Sequence, residues 1–141
     1  MTAGILDTST RILRGRVRDL DALPDEAFIT SVTLAELSVG PLVAATEEER
    51  AARQAHLQAA ESDFDPLPFD SDAARAFGAV AASLRRSGRK PLARAFDAMI
   101  AATAVARELP IHTCNPRDFA GIAGLDVIAV RTPITRDTAL P

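Results

Sequence analysis

Short apolar runs alternate along the chain with longer stretches in which apolar and polar residues recur at helical spacing. The short runs predict strands and the longer stretches predict helices. The predicted strands are residues 4–6, 27–30, 66–69, 111–114 and 127–130, and the predicted helices are residues 10–15, 33–43, 47–62, 71–87 and 93–108. Because the strands are brief and do not alternate cleanly, they are typical of strands buried on both faces. The pattern therefore predicts an α/β protein with three α/β/α layers around a mainly parallel sheet of four to five short strands.

Proline, glycine and asparagine support several of these boundaries. Gly88 and Pro91 follow the fourth predicted helix, and Asn115-Pro116 ends the fourth predicted strand in a turn. The sequence contains no internal repeat and no low-complexity linker. We expect residues 1–131 to form a single domain and residues 132–141 to form a loosely held tail.

Composition narrows the class of protein. The 141 residues are 48% hydrophobic and 25% charged, which is ordinary for a globular protein. No apolar run approaches the roughly 20 residues of a membrane span, and the N-terminal stretch lacks the features of a signal peptide. We therefore expect a cytoplasmic location without a membrane partner. The net charge of −3 argues against a protein that coats nucleic acid, but it allows a nuclease with a local basic strip.

One acid lies in an otherwise apolar helix. The segment FDAMIAATAVA at residues 96–106 predicts a helix that is buried on nearly all sides. Asp97 shares a face with Ala101 and Ala104, so it points toward the interior or a cleft. A buried ionised carboxylate needs a proton, a partner or a metal ion. The alternative interpretation is an acid in the first helical turn, where the helix dipole favours it.

Three further acids lie near the ends of predicted strands. Asp7 follows the first strand, Glu36 opens the helix after the second, and Asp118 follows the fourth. Each also has a structural interpretation: Asp7 as a helix cap, Glu36 as the capping-box partner of Thr33, and Asp118 as a turn acid. Since parallel strands end at one sheet edge, the four acids are expected to converge there. A hard divalent cation such as Mg²⁺ or Mn²⁺ would remove their mutual repulsion.

Four motifs carry a resemblance to a known family: LDTS, TLAEL, FDAMIAATA and TCNPRDF, in that order over nearly the whole chain. Together they resemble the PIN domain, and more closely the VapC-type toxins of bacterial type II toxin–antitoxin systems. The resemblance implies a PIN-like fold and a metal-dependent endoribonuclease that uses Mg²⁺ or Mn²⁺ to cleave RNA. It also implies a homodimer that is held inactive by a cognate VapB-type antitoxin.

The resemblance assigns roles to individual residues. It places the catalytic and metal-binding quartet on Asp7, Glu36, Asp97 and Asp118, and the supporting turn residues on Thr8, Ser9 and Asn115. Asp7 and Asp97 would be the core ligands, with Glu36 as a further ligand or water-orienting base. Whether Asp118 or Asn115 completes the site stays open. Arg11 replaces an apolar residue of the family and is a candidate RNA contact.

A basic segment precedes Asp97. The stretch RRSGRKPLAR at residues 85–94 could hold phosphates by counterion release. Its candidate RNA contacts are Arg89, Lys90 and Arg94. The alternative is that Arg85 and Arg86 favour a helix C-terminus while the other basic side chains are solvated.

Three other functions compete with this hypothesis. A metal-free ribonuclease would need His56 and His112 as acid and base. A receiver-type phosphoacceptor domain would need a late lysine, and the only lysine is Lys90. A catalytically weak PIN-like protein that only binds RNA or a partner would leave the four acids unexplained.

Overall fold

The computed structural model of the chain describes residues 1–13, 20–89 and 94–131. Within these ranges four short strands form one sheet: β1 (Ala3–Leu6), β2 (Glu26–Phe28), β3 (Ile111–Thr113) and β4 (Val127–Ala129). Their order across the sheet is β2-β1-β3-β4, and every neighbouring pair is parallel. The predicted α/β architecture around a parallel sheet is confirmed.

Five helices lie in the described part of the chain: α1 (Thr8–Leu13), α2 (Ser31–Val39), α3 (Glu47–Asp63), α4 (Ser71–Arg86) and α5 (Ala95–Arg107). Side-chain caps explain where α2, α3 and α4 begin. Thr30, Thr46 and Asp70 each accept a hydrogen bond from the backbone N–H three residues later. The predicted helix 33–43 ends earlier, because its last turn tightens into a 3₁₀ turn at Gly40–Leu42.

The prediction of a strand at residues 66–69 is wrong. Of these residues only Leu67 forms a β-bridge, a single parallel one to Thr30, which lies beyond the end of β2. Leu67 donates to the carbonyl of Ile29 and accepts from the amide of Ser31. Its neighbours Pro66 and Pro68 have no N–H group to donate, so the pairing cannot extend into a ladder.

The main core lies between one face of the sheet and the two helices α4 and α5. Ile5 of β1 and Ile111 of β3 are fully buried on this face. The fully buried apolar residues of α5 are Ala98, Ile100, Ala101, Ala102 and Ala104. The prediction that this helix is buried on nearly all sides is confirmed, and it fixes where α5 begins relative to the sheet edge.

The opposite face of the sheet contacts the N-terminal part of the chain. Leu6 and His112 are paired in register and point to this face. The Nδ1 atom of His112 lies 2.5 Å from the carbonyl oxygen of Ala22, in a 3₁₀ turn at Leu20–Ala22. Gly4 makes room for the imidazole, because a Cβ atom at Gly4 would overlap the ring of His112.

Two predictions lie outside the described residues. One is the loosely held tail at residues 132–141, so the single domain over residues 1–131 stays a prediction. The other is the RNA contact at Lys90. Among the described helices, none has the length and apolar character needed to cross a membrane.

Candidate active site

Four acids from four separate elements meet at the carboxyl edge of the sheet. Asp7 follows β1, Glu36 lies on α2, Asp97 opens α5, and Asp118 lies in a 3₁₀ turn at Pro116–Phe119 after β3. Their proximity is visible in the pKa of Asp97, which rises from 3.8 to about 6. Burial is the largest cause, followed by the negative charges of Asp118, Asp7 and Glu36. The prediction that these four acids converge at one sheet edge therefore agrees with the charges that act on Asp97.

Asp7 is held firmly by hydroxyl and amide groups. It is 4% exposed, and burial raises its pKa while hydrogen bonds from Thr10 and Thr113 oppose the rise. Its Oδ1 atom accepts from the backbone N–H of Thr10 at 3.3 Å, which caps α1. Its Oδ2 atom accepts from the hydroxyl of Thr113 at 2.9 Å. The cap and the acid cluster are thus two roles of one side chain, and both ends of the carboxylate are fixed.

Glu36 is oriented by hydroxyl groups from α1 and α2. The hydroxyl of Thr8 donates to Glu36 Oε1 at 2.7 Å, and it lies 3.0 Å from the hydroxyl of Thr33. Since Thr8 donates its only proton to Glu36, Thr33 donates to Thr8. The capping-box interpretation of Glu36 is wrong, because the cap of α2 is Thr30, whose side chain accepts from the amide of Thr33. Burial, and then the charge of Asp7, raise the pKa of Glu36.

Arg94 joins the two remaining acids. Its Nη1 atom lies 2.5 Å from Asp118 Oδ1 and 3.8 Å from Asp97 Oδ2. All three side chains are only partly buried. The structure therefore places Arg94, predicted as an RNA contact, inside the acid cluster as a counter-charge. The positive charge of Arg94 also lowers the pKa of Asp97, against the larger effects that raise it.

The predicted supporting residues differ in what they do. Thr8 positions Glu36 as expected. Ser9 is exposed, and no hydrogen bond of its side chain is found in the described ranges. Asn115 is also exposed, and it acts through its backbone, which donates to Thr113 Oγ1 at 2.9 Å and accepts from the amide of Asp118. The charge at this corner of the cluster therefore comes from Asp118.

Three threonines that the sequence did not reveal hold the cluster in place: Thr10, Thr33 and Thr113. All three are fully buried. Besides its amide contact with Asp7, Thr10 accepts from the backbone N–H of Cys114 at 2.8 Å, which ties α1 to the end of β3. The only available signal was the position of a hydroxyl residue beside an acid or at a strand end.

The other basic residues considered in the sequence differ in burial and in the partners of their side chains. Arg11 is 8% exposed and lies over the ring of Phe64, with Asp63 at 3.8 Å. This burial leaves little of the Arg11 side chain open to RNA. Arg89 is half-buried, and its Nη1 atom has no hydrogen-bond partner among the described residues. Arg85 and Arg86 lie in the last turn of α4, as the structural alternative predicted.

The donor chemistry of the cluster fits a hard divalent cation. Its ligands would be carboxylate oxygens, and their mutual repulsion is the effect that a bound cation removes. In residues 1–13, 20–89 and 94–131, however, no group of three or more Asp, Glu, His or Cys side chains is arranged to hold an ion. An ion would therefore have to draw the carboxylates closer and compete with Arg94 for Asp118.

The histidine-pair mechanism has no support in the fold. His112 is 3% exposed, lies within the sheet and contacts Ala22. His56 instead lies on α3 and borders a surface pocket. A buried imidazole cannot take a proton from a substrate in solution, so the two histidines do not form an acid–base pair.

Comparison with known proteins gives one family. Residues 5–125 of the chain match the PIN domain family. The chain is 44% identical over 133 residues to "Ribonuclease VapC5" of Mycobacterium tuberculosis, an alignment that covers 91% of this chain and 96% of that protein. It is 39% identical over 97 residues to "tRNA(fMet)-specific endonuclease VapC" of Shigella flexneri, covering 69% of this chain and 70% of that one.

A solved structure shows the same fold. The structure is described as a member of the VapBC family of toxin–antitoxin systems, VapBC-5, from Mycobacterium tuberculosis. Its matched chain superposes with a TM-score of 0.79 at 40% identity, covering 92% of this chain and 99% of that one.

Proposed function

Because the chain belongs to the PIN-domain family and to its VapC group, we propose that it is a metal-dependent endoribonuclease, the toxin of a type II toxin–antitoxin pair. The observation that carries the proposal is the cluster of four acids from four elements. Burial and three neighbouring carboxylates raise the pKa of Asp97 to about 6. Bringing like charges together costs stability, and groups whose pKa is shifted in this way cluster at functional sites.

The residues of the cluster have distinct proposed roles. Asp7 and Asp97 hold a Mg²⁺ or Mn²⁺ ion, Glu36 is a further ligand or orients the attacking water, and Asp118 is the outermost ligand. Such an ion, when bound, lowers the pKa of a coordinated water and neutralises charge on the phosphoryl oxygens. Thr10 and Thr113 fix both oxygens of Asp7.

Glu36 and Asp118 are positioned by side chains of different character. The hydroxyl of Thr8 holds Glu36 from the neighbouring helix. Arg94 holds Asp118 through a charged hydrogen bond, and we propose that it releases Asp118 when the ion binds. The guanidinium of Arg94 is then available to the phosphate of the substrate.

The descriptions of the relatives support RNA as the substrate and an antitoxin as the partner. The two named relatives are described as a ribonuclease and a tRNA-specific endonuclease, and the matched structure as part of a toxin–antitoxin system. We therefore propose RNA as the substrate and a VapB-type antitoxin as the partner. A homodimer, which the family resemblance implies, is part of the same proposal.

The proposal is tested by RNA cleavage in Mn²⁺ with matched variants. Asp97→Asn removes a charge from the first turn of α5, and Asp72→Asn removes one from the first turn of α4 outside the cluster. We expect Asp97→Asn to reduce the rate at least about a hundredfold, and Asp72→Asn to leave it within about twofold. Excess EDTA should abolish cleavage by the wild-type protein.

Two results would contradict the proposal. Equal rates of RNA cleavage by Asp97→Asn and the wild type would show that the acid cluster takes no part in the mechanism. Cleavage that continues in excess EDTA would show that the reaction does not need a metal ion. Binding of RNA or antitoxin by a purified protein that cleaves no RNA would instead favour the catalytically weak PIN-like binding protein.

A further inference from the structure

A surface pocket of about 210 Å³ opens beside the acid cluster, between α1, α2 and α3. Thr8 and Glu36 form the wall that it shares with the cluster. Ile12 and Leu37 line it with apolar surface, and Arg53 and His56 of α3 add polar side chains to the lining.

We propose that this pocket binds one nucleobase of the RNA, with a preference for guanine, next to the phosphate that is cleaved. The proposal rests on the ribonuclease function and adds the group that sets its sequence preference. Its first support is continuity with the site. The hydroxyl of Thr8 donates to Glu36, so the same two side chains bound both the cluster and the pocket.

The second support is the chemistry of the lining. Most of the pocket wall is apolar, which suits the faces of a planar base and not the strongly hydrated oxygens of a phosphate. Leu37 is nearly fully buried, whereas Ile12 is 39% exposed and forms the outer wall. Single-stranded RNA is commonly recognised by placing an unstacked base between such surfaces and reading its edge with hydrogen bonds.

The third support is the way Arg53 is fixed. Its Nη1 atom donates to the carbonyl of Gly40 at 3.0 Å, and its side chain lies against Gly40, where a Cβ atom would be only 3.2 Å from Arg53 Cδ. Its Nη2 atom is 3.8 Å from Glu49 Oε2, which is too far for a hydrogen bond. The remaining N–H groups can therefore donate to a ligand. Guanine presents two acceptors, O6 and N7, on one edge, and arginine is the side chain that most often reads them.

The size of the pocket limits the occupant. Sites for drug-sized ligands usually enclose about 300–1,000 Å³, so a pocket of about 210 Å³ suits a single ring system. A folded peptide segment would need a longer groove. An antitoxin side chain is the competing occupant, and the experiment separates it from a base.

Binding of guanosine monophosphate is measured first, in EDTA, so that the result does not depend on cleavage. The chain has only two histidines, and the ring proton of His56 is assigned by its loss in His56→Gln. We expect guanosine monophosphate to shift this resonance, and uridine monophosphate or inorganic phosphate at the same concentration to leave it in place. Ile12→Trp, which fills the pocket from its exposed wall, should abolish the shift.

Cleavage of an RNA panel is the second arm. Substrates that differ only in the base beside the cleaved bond are compared in Mn²⁺. We expect Arg53→Gln and His56→Gln to reduce the preference for guanine about tenfold. The matched control is Arg50→Gln, an exposed arginine on the same helix that pairs with Glu47, and it should keep the wild-type preference.

Several outcomes would overturn the base pocket. Inorganic phosphate that shifts His56 as strongly as the nucleotide would assign the pocket to phosphate. Unchanged nucleotide binding and base preference in the variants, with weaker antitoxin binding, would assign it to the antitoxin. Nucleotide binding by a protein that cleaves no RNA would instead overturn the ribonuclease function and leave the base pocket standing.

Discussion

The carboxyl group of Asp97 lies in surroundings that favour its neutral form. Burial and the charges of Asp118, Asp7 and Glu36 raise its pKa to about 6, and Arg94 offsets only part of that effect. The folded chain therefore retains a proton that the unfolded chain has released. Its contribution to stability is complete below about pH 3.8 and is lost as the pH rises through about 6.

Asp97→Asn should therefore stabilise the metal-free protein at about pH 7.5. Because the side chain is partly exposed and solvent screens it, we expect a gain of only about 1 kcal/mol in the free energy of unfolding. The gain should vanish near about pH 4, where wild-type Asp97 is protonated. Urea unfolding in EDTA at the two pH values measures both effects.

Asp72→Asn is the control for Asp97→Asn. It removes an exposed first-turn charge and a pair with Arg75, so we expect it to lose a few tenths of a kcal/mol at about pH 7.5. A loss of stability in Asp97→Asn of the same size would show that Asp97 is an ordinary first-turn acid.

At the residue scale, the four acids of the candidate site were predictable, and most of the side chains that hold them were not. An acid in an apolar helix is visible in a sequence because burying a charge is costly. Thr33 and Thr113 gave no such signal, because threonine is common in strands and helices and its hydroxyl has meaning only once the sheet register is known. The burial of Arg11 was not predictable, because the ring of Phe64, which covers its side chain, is distant in sequence.

At the element scale, the pairing of β1 with β3 depends on one glycine. Gly4 has no Cβ atom where the ring of His112 lies, and the ring cannot move away easily because its Nδ1 atom contacts Ala22. Since the acid that follows β1 and the turn that follows β3 belong to the same cluster, this pairing also sets the spacing of the site.

Gly4→Ala should destabilise the protein by about 1–3 kcal/mol, because the added methyl group overlaps a buried ring. His112→Ala should relieve the overlap, so the double variant should be more stable than the sum of the two single changes predicts. Chemical unfolding of the four proteins gives the coupling free energy. A coupling near zero would mean that the strands tolerate the methyl group in some other way.

The sequence pattern predicted which strands and helices form. It did not predict where they end, because their ends depend on local backbone chemistry. The four strands and five helices of the described residues follow the apolar pattern of the sequence. The strand expected at residues 66–69 failed because apolar character alone ignores the missing N–H groups of Pro66 and Pro68. The end of α2 was misplaced because Gly40 and Pro41 allow a 3₁₀ turn to continue the apolar pattern beyond the helix.

For the whole molecule, the proposed ion should act on stability as well as on catalysis. Four acids that repel one another in the folded state become favourable partners when a cation lies between them. We expect the protein to remain folded in EDTA and to gain about 2.7 kcal/mol at a free Mg²⁺ concentration one hundred times the Kd.

Thermal unfolding at constant ionic strength, with and without Mg²⁺, measures this gain. Asp97→Asn should show a much smaller shift in Tm, and Asp72→Asn should match the wild type. An equal shift in all three proteins would mean that Mg²⁺ binds elsewhere or acts only by screening.

At this scale the sequence predicted the family and the fold, and it missed the pocket. Four motifs in order were enough for the family because they are spread over nearly the whole chain. The pocket depends on how α3 packs against Gly40 and Leu37, which no motif encodes. His56 therefore appeared to be one more polar residue on a charged helix.

Asp7 both caps α1 and belongs to the acid cluster, and this combination bears on how such a chain can evolve. Asparagine starts a helix as well as aspartate does, and a single base change in the codon interconverts them. On the proposed mechanism, Asp7→Asn would thus silence the chemistry while keeping the helix cap. A silenced copy of this kind would persist as a folded decoy. It would still bind the proposed antitoxin and so keep it away from an active copy of the protein.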